Sequence, residues 1–284
     1  MGTLVCFHAH PDDEAIATGG SMARAHADGH RVVLVVATDG RHGETPDDLA
    51  EGETLADRRR IETMRSAEVL GADRVEFLGY ADSGMTGWEQ NGSEDSFHAA
   101  DLDEAAERLA AVLRDEAPDV LTTYDWHGNY GHPDHVKVHL VGARAAELVA
   151  AELSTMRVFE ATMNRDAMTR LIAAAAGSAE FAGAGADADA GGPGPADFDP
   201  EAPADDGNPF GTPEAELTLE VDVSAHVEAK RNAIRCHRSQ VSDSDFFLAM
   251  GDEQFAAAFG LEWFIERGRA PGMRRGWLFD GQNG

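Results

Sequence analysis

The chain is poor in cysteine, lysine and long apolar runs. Its two cysteines in 284 residues, Cys6 and Cys236, form no CxxC pair. That excludes a disulfide-stapled scaffold and a thiolate zinc site, and both read as reduced thiols. Lys137 and Lys230 are the only lysines. Lysine and arginine together number 23 against 52 acidic residues, a net charge of −29. A chain without a basic footprint does not grip nucleic acid through phosphates or dock on anionic lipid. No apolar run is long enough to span a bilayer. The apolar stretch Thr3 to Phe7 follows no basic region of the kind a secretory signal carries. A soluble, cytoplasmic protein is expected, with no membrane insertion. Also missing is a G-x-G-x-x-G after the first predicted strand, which disfavours a dinucleotide-binding module.

What is present is an alternation of strands and helices. Apolar residues make up 43% of the chain, enough for a buried core. Thr3 to His8, Arg31 to Thr38, Arg74 to Leu78, Val120 to Tyr124 and Arg157 to Thr162 read as strands. Continuous apolar runs such as Val32 to Ala37 suit strands covered on both faces. Between them, Asp13 to Ala27, Leu55 to Leu70, Leu102 to Glu116, Asp134 to Leu153 and Asn164 to Ala176 read as helices. This pattern predicts an α/β fold: a Rossmann-like, mostly parallel sheet with helices on both faces. Residues 1–176 would form the catalytic core. Residues 177–214, rich in Ala, Gly, Asp and Pro, read as a flexible acidic insertion. Residues 215–284 would complete the domain and the pocket rim as a smaller strand and helix extension. There Leu217 to Val223 reads as a strand, and Ser224 as the cap of a helix reaching about His237. Asp252 to Glu266 forms a last unit.

Two polar clusters stand where predicted strands end. His8-Ala9-His10-Pro11-Asp12-Asp13-Glu14 follows the first strand, and Asn129-Tyr130-Gly131-His132-Pro133-Asp134-His135 follows the fourth. Open α/β sheets bind ligands at the carboxyl ends of their strands. Taken alone, Asp12 to Glu14 would pass for acidic residues at a helix start. Together, the clusters supply histidine and carboxylate ligands for a borderline ion such as Zn²⁺, without the closed thiolate set of a structural site. They also supply spare carboxylates and a histidine for proton transfer and oxyanion stabilisation.

HPDDE followed downstream by HPDH resembles the PIG-L/LmbE family of zinc-dependent de-N-acetylases, in its mycothiol-related branch. Arg59-Arg60-Ile61-Glu62 looks like the family's R-x-x-E, and Phe77 to Met85 like its FLGY-x-DSGM. Lys230 through His237-Arg238-Ser239-Gln240 looks like its C-terminal K…H-x-SQ. The resemblance implies one zinc ion, with Fe²⁺ as a substitute, held by His10, Asp13 and His135. It implies Asp12 as general base, His132 as the electrophilic or acid group, Asp134 as the residue orienting His132, and Tyr130 on the carbonyl. Arg59 and Asp82 would contact sugar hydroxyls, with His237 and Gln240 at the pocket rim. Read without the family, Arg59 is a solvated helix face, Asp82 a turn former and Tyr130 a loop-packing residue. The implied activity is removal of an N-acetyl or other N-acyl group from a glucosamine-type sugar or glycoside, a small-molecule substrate. A homo-oligomer is compatible with it. A mycothiol-conjugate amidase is a second reading, weakened because Ala17 stands where those enzymes carry lysine. A non-catalytic sugar- or metal-binding member of the fold is a third.

Overall fold

The computed structural model describes residues 1–176, 198–242 and 246–281. Its strands form one eight-stranded sheet ordered β3-β2-β1-β4-β5-β7-β6-β8. These are β1 Thr3–His8, β2 Arg31–Thr38, β3 Arg74–Tyr80, β4 Val120–Tyr124, β5 Arg157–Thr162, β6 Leu219–Asp222, β7 Leu261–Glu266 and β8 Arg274–Arg275. The helices are α1 Gly19–Ala27, α2 Leu55–Val69, α3 Leu102–Glu116, α4 Pro133–Val149, α5 Arg165–Ala176, α6 Val227–Ile234, α7 Phe246–Ala249 and α8 Asp252–Phe259. Strands β1 to β5 run parallel. The expected Rossmann-like arrangement is present, and no helix of the described residues is long and apolar enough to cross a membrane.

The alternation of side chains along each strand divides the core. Leu4 and Cys6 of β1, with Leu34 of β2, pack on one face with Met22 of α1 and Ile234 of α6. Val5 and Phe7, with Val35, pack on the other with Leu109 of α3 and Val138 of α4. Each such large apolar side chain contributes roughly 1.5–3 kcal/mol through burial. Local signals set the helix ends. Thr54 and Asp57 form a reciprocal capping box at the start of α2, with Asp57 N–H donating to Thr54 Oγ1 at 3.2 Å and Thr54 N–H to Asp57 Oδ2 at 3.0 Å. Losing such a cap costs about 1 kcal/mol. Here it fixes the helix that carries Arg59.

From β1 the chain moves outward to β2 and β3, then returns to the opposite side of β1 to place β4. The carboxyl ends of β1 and β4 are therefore adjacent at the point where strand order reverses. Their register, with Leu4 opposite Val120 and Cys6 opposite Thr122, brings both polar motifs to one crevice.

Beyond β5 the structure departs from the expected pattern. The unit Asp252 to Glu266 splits at Gly260 into α8 and β7, and β7 inserts antiparallel between β5 and β6. The C-terminal part thus continues the same sheet. Ser224 does not cap a long helix. It opens a 3-10 turn, Ser224–His226, and its hydroxyl donates to Asp222 Oδ1 at 2.6 Å. The acidic side chain two residues back captures the capping group. Of the expected insertion, residues 177–197 lie outside the described residues. Residues 198–214 lie along the loop after β4, with Asp205 N–H donating to the Tyr130 carbonyl and Gly211 N–H to the Asn129 carbonyl.

Candidate active site

Strand β1 ends at His8, whose ring is bonded to Tyr124 Oη at 2.8 Å and Thr18 Oγ1 at 2.9 Å. His8 is thereby a structural post. Pro11 carries the chain off the strand, and Asp12 takes a φ of 111°. A non-glycine residue in that region costs about 1–3 kcal/mol, a strain that the surrounding contacts must hold. A π-helical turn, Glu14–Thr18, then leads into α1 where one continuous helix is expected. After β4, positive φ at Gly128, Asn129 and Gly131 bends the loop back over the crevice. A Cβ at Gly128 would lie 2.2 Å from His135 Cβ, so glycine is required for this approach. Pro133 occupies the first turn of α4, where its missing N–H costs nothing.

His10, Asp13 and His135 converge. His10 Nδ1 lies 3.5 Å from Asp13 Oδ2, His135 Nε2 lies 3.4 Å from the same oxygen, and the two ring nitrogens are 3.2 Å apart. Bonds of about 2.0–2.1 Å to a tetrahedral ion would put donor atoms about 3.3 Å apart. The outward nitrogens are already taken. His135 Nδ1 faces the Gly128 carbonyl at 3.2 Å, and His10 Nε2 faces Asp134 Oδ2 at 3.3 Å and Asp82 Oδ1 at 3.5 Å. Acceptors at those positions fix the N–H there and leave Nδ1 of His10 and Nε2 of His135 as lone pairs. Two lone pairs and a carboxylate oxygen then face one another, an arrangement that attracts a cation. The electrostatics agree. Without a metal a proton takes the cation's place at His10: burial disfavours a charged ring, yet Asp82, Asp13 and Asp134 outweigh it and raise its pKa well above the ordinary value. Burial also opposes ionisation of Asp13, but His135 and His10 hold its pKa well below the usual carboxylate range. The donor set fits zinc.

The other expected site residues surround this triangle. The Asp12 carboxylate accepts from Arg59 Nη2 at 3.0 Å. Desolvation raises the Asp12 pKa, and the Arg59 charge opposes the rise. His132 has a ring nitrogen within 4.8 Å of ring nitrogens of His10 and His135. It caps α4, with Nδ1 accepting from Asp134 N–H at 3.1 Å, which leaves Nε2 as a donor and not a ligand. Burial, followed by the neighbouring His10 and His135, pushes its pKa down to about 3, so the ring is neutral. Tyr130 Oη lies 3.4 Å from His135 Nε2, and its ring stacks on Phe210.

Two expectations change. The Asp134 carboxylate does not orient His132, because the backbone N–H of Asp134 occupies the near nitrogen of that ring. The carboxylate instead accepts from Ser83 N–H at 2.8 Å and Ser83 Oγ at 2.5 Å, and faces His10. Arg59 is not a solvated helix face. It is 4% exposed, with its guanidinium turned onto the first motif. Asp82 is also buried, accepting from Gly84 N–H at 2.8 Å.

Sequence reasoning missed Ser83, although it lies inside the D-S-G-M run. Glu14, read as a helix-start charge, and His237, expected at the pocket rim, are instead fully buried partners behind the first motif. Glu14 Oε1 accepts from Ser66 Oγ at 2.5 Å and bonds His237 Nε2 at 2.7 Å. Ser239 N–H and Oγ donate to Glu62 at 2.9 and 2.6 Å. Lys230 Nζ donates to Glu262 Oε1 at 2.7 Å. These pairs form a buttress behind the first motif. Gln240 reaches the loop above it, accepting from Glu44 N–H at 3.1 Å.

The family described as GlcNAc-PI de-N-acetylase (PIG-L) matches residues 5–146, which include both motifs. The chain is 36% identical over 294 residues to a 1D-myo-inositol 2-acetamido-2-deoxy-alpha-D-glucopyranoside deacetylase of Thermobispora bispora, covering 98% of this chain and 92% of that one. It is 37% identical over 302 residues to the Streptomyces avermitilis protein of the same description, covering 98% and 96%. The fold is similar to that of N,N'-diacetylchitobiose deacetylase from Pyrococcus horikoshii, with a TM-score of 0.57 at 22% identity over 93% of this chain and 83% of that one. With the motifs on adjacent strand ends and relatives matching along nearly the whole length, the chain belongs to the GlcNAc-PI de-N-acetylase (PIG-L) family and is a deacetylase of that family.

Proposed function

We propose that the protein removes the N-acetyl group of a 2-acetamido-2-deoxy-glucopyranoside, with the α-linked myo-inositol glycoside as its substrate. The observation that carries the chemistry is the convergence of His10 Nδ1, Asp13 Oδ2 and His135 Nε2 with their lone pairs inward. The substrate assignment rests on the relatives described above. His10, Asp13 and His135 would hold one zinc ion. When bound, zinc supplies Lewis-acid polarisation of a carbonyl and lowers the pKa of water.

The protein's own groups divide the remaining work. Asp12, beside Asp13 and raised in pKa by desolvation, takes the proton of the attacking water. The water oxygen bonds to the amide carbon, and the carbonyl electron pair moves onto its oxygen. Neutral His132 donates through Nε2 to that oxygen, with the other nitrogen held by the Asp134 N–H. Tyr130 Oη, beside His135, is placed to donate to the same oxygen. When the C–N bond breaks, the proton held by Asp12 goes to the leaving nitrogen, and acetate and a free sugar amine result. Asp82 and Asp134 keep His10 oriented.

The test is release of a primary amine from N-acetylglucosaminyl-inositol, followed together with acetate and bound metal. Equimolar amine and acetate are expected, and Asp12→Asn should slow turnover at least about 100-fold while metal content stays the same. A metal-loaded protein that releases neither product from this glycoside overturns the substrate assignment. An Asp12→Asn protein of full activity overturns the assigned base.

A further inference from the structure

The geometry points to Arg59 as a positioning residue that clamps Asp12 in its strained backbone conformation. This rests on the proposed role of Asp12 as base. Three acceptors converge on one guanidinium. Nη2 donates to the Pro11 carbonyl at 2.5 Å and to Asp12 Oδ2 at 3.0 Å, and Nη1 donates to the Gly40 carbonyl at 2.6 Å. A single nitrogen therefore holds both the peptide oxygen before Asp12 and the Asp12 carboxylate. Between those two points lies the φ of 111°. An L residue relaxes out of that region unless its flanks are tied. On the other side, Asp12 N–H donates to Glu14 Oε2 at 3.0 Å, so the strained residue is held from both ends.

The clamp is built into its surroundings. Arg59 stands on the second turn of α2 and is 4% exposed, and its Nε has no partner among the described residues. Burying a donor unpaired is costly, so the side chain keeps this pose through the ties made by Nη1 and Nη2. Gly40 has a φ of 66°, and a Cβ there would lie 2.5 Å from Arg59 Nη1. The loop after β2 is thus shaped to let the guanidinium pass beneath it to the first motif. Lysine can supply the charge but not the planar fork that serves all three oxygens.

A group that positions a base and a group that binds sugar fail differently. For Arg59→Met, kcat should fall about 100-fold with KM within about twofold and metal stoichiometry unchanged, because a base misplaced by about 1 Å costs rate and not affinity. Arg59→Lys should fall between the two proteins in kcat. A crystal structure of Arg59→Met should show Asp12 relaxed to negative φ. Gly40→Ala, which displaces the guanidinium while keeping the arginine, should lower kcat in the same way. It carries the test if Arg59→Met fails to fold. A KM raised tenfold at unchanged kcat would make Arg59 a sugar contact, and Asp12 still at positive φ in the variant crystal would remove the clamp. If the unaltered protein deacetylates no glycoside, the functional reading has failed, and the Asp12 backbone in the variant crystal still decides the clamp.

Discussion

Two clusters of buried charge lie on opposite sides of the first motif, and they are built on opposite plans. Behind it, Glu262 accepts from Gly20 N–H, Ser21 N–H and Lys230 Nζ at 2.7–2.9 Å. Glu14 is likewise matched by Ser66, His237 and the Asp12 N–H. Each carboxylate oxygen there meets a donor. In front, Asp13 Oδ2, which accepts from the His10 backbone N–H at 2.8 Å, and two inward imidazole nitrogens converge on a point that a proton or a cation can fill. The rear cluster is complete without a ligand, whereas the front one reaches its lowest energy when a cation enters. Burial and charge are common to both, so neither identifies function. Satisfaction of the donors and acceptors separates them.

The largest effect should come from emptying the front cluster. Asp13→Ala should lose the bound metal, measured by elemental analysis, and lower activity by about 10⁴-fold or more. Its metal-free melting temperature should lie within a few degrees of that of the metal-free unaltered protein, because the ties to the His10 backbone N–H and the two imidazoles are lost together with the cost of burying a carboxylate. Chelation of the unaltered protein should cost about 4 kcal/mol where the free metal had been at about 1,000 times its Kd. A metal-free Asp13→Ala that melts many degrees lower would show that the front cluster is structural, and the contrast would collapse.

The rear cluster should respond in the opposite sense. Lys230→Met leaves Glu262 with two backbone donors and no counter-charge in a fully buried place. Breaking such a pair costs about 3–5 kcal/mol, which lowers the melting temperature by roughly 5–8 °C for a chain of this size. Metal stoichiometry in the protein that remains folded should be unchanged. Loss of metal before any loss of stability, followed by titration of bound zinc against temperature, would merge the two clusters into one.

Much of this arrangement is visible in the sequence, for identifiable reasons. The bounds of β1, β2, β4 and β5 follow from apolar runs that end in polar residues. Convergence of the two motifs follows because each ends a strand of a sheet whose order reverses between them. The pairing of β7 between β5 and β6 is a long-range choice, and no local pattern in Leu261 to Glu266 encodes its neighbours. The partner of Asp134 was hidden for a similar reason. Its sequence neighbour His132 is the obvious candidate, but the helix start places the backbone N–H there and turns the carboxylate to Ser83, 51 residues away in the chain. Arg59 looks exposed in an Arg-Arg-Arg run. In the fold Arg60 lies over Phe77 while Arg59 turns inward, as the R-x-x-E resemblance implies and the run of arginines does not.

The smallest expected effect is a pH dependence confined to the rear cluster. Burial lowers the basicity of His237, but Glu14, with Asp12 and Glu62 farther off, outweighs it and raises the pKa above 6.5. The His237 Nδ1 has no partner among the described residues, so Glu14 is the group that holds the ring charged. Because the folded-state pKa is the higher one, the pair's contribution is complete below about pH 6.5 and is lost as pH rises through the folded value. His237→Asn should therefore be less stable than the unaltered protein at pH 6 by about 2 kcal/mol, measured by denaturant unfolding. The gap should narrow steadily toward pH 9 with metal content constant. A gap that stays level across this range would mean that His237 is held neutral, and the rear cluster would then be packed by shape and hydrogen bonds without an ion pair at Glu14.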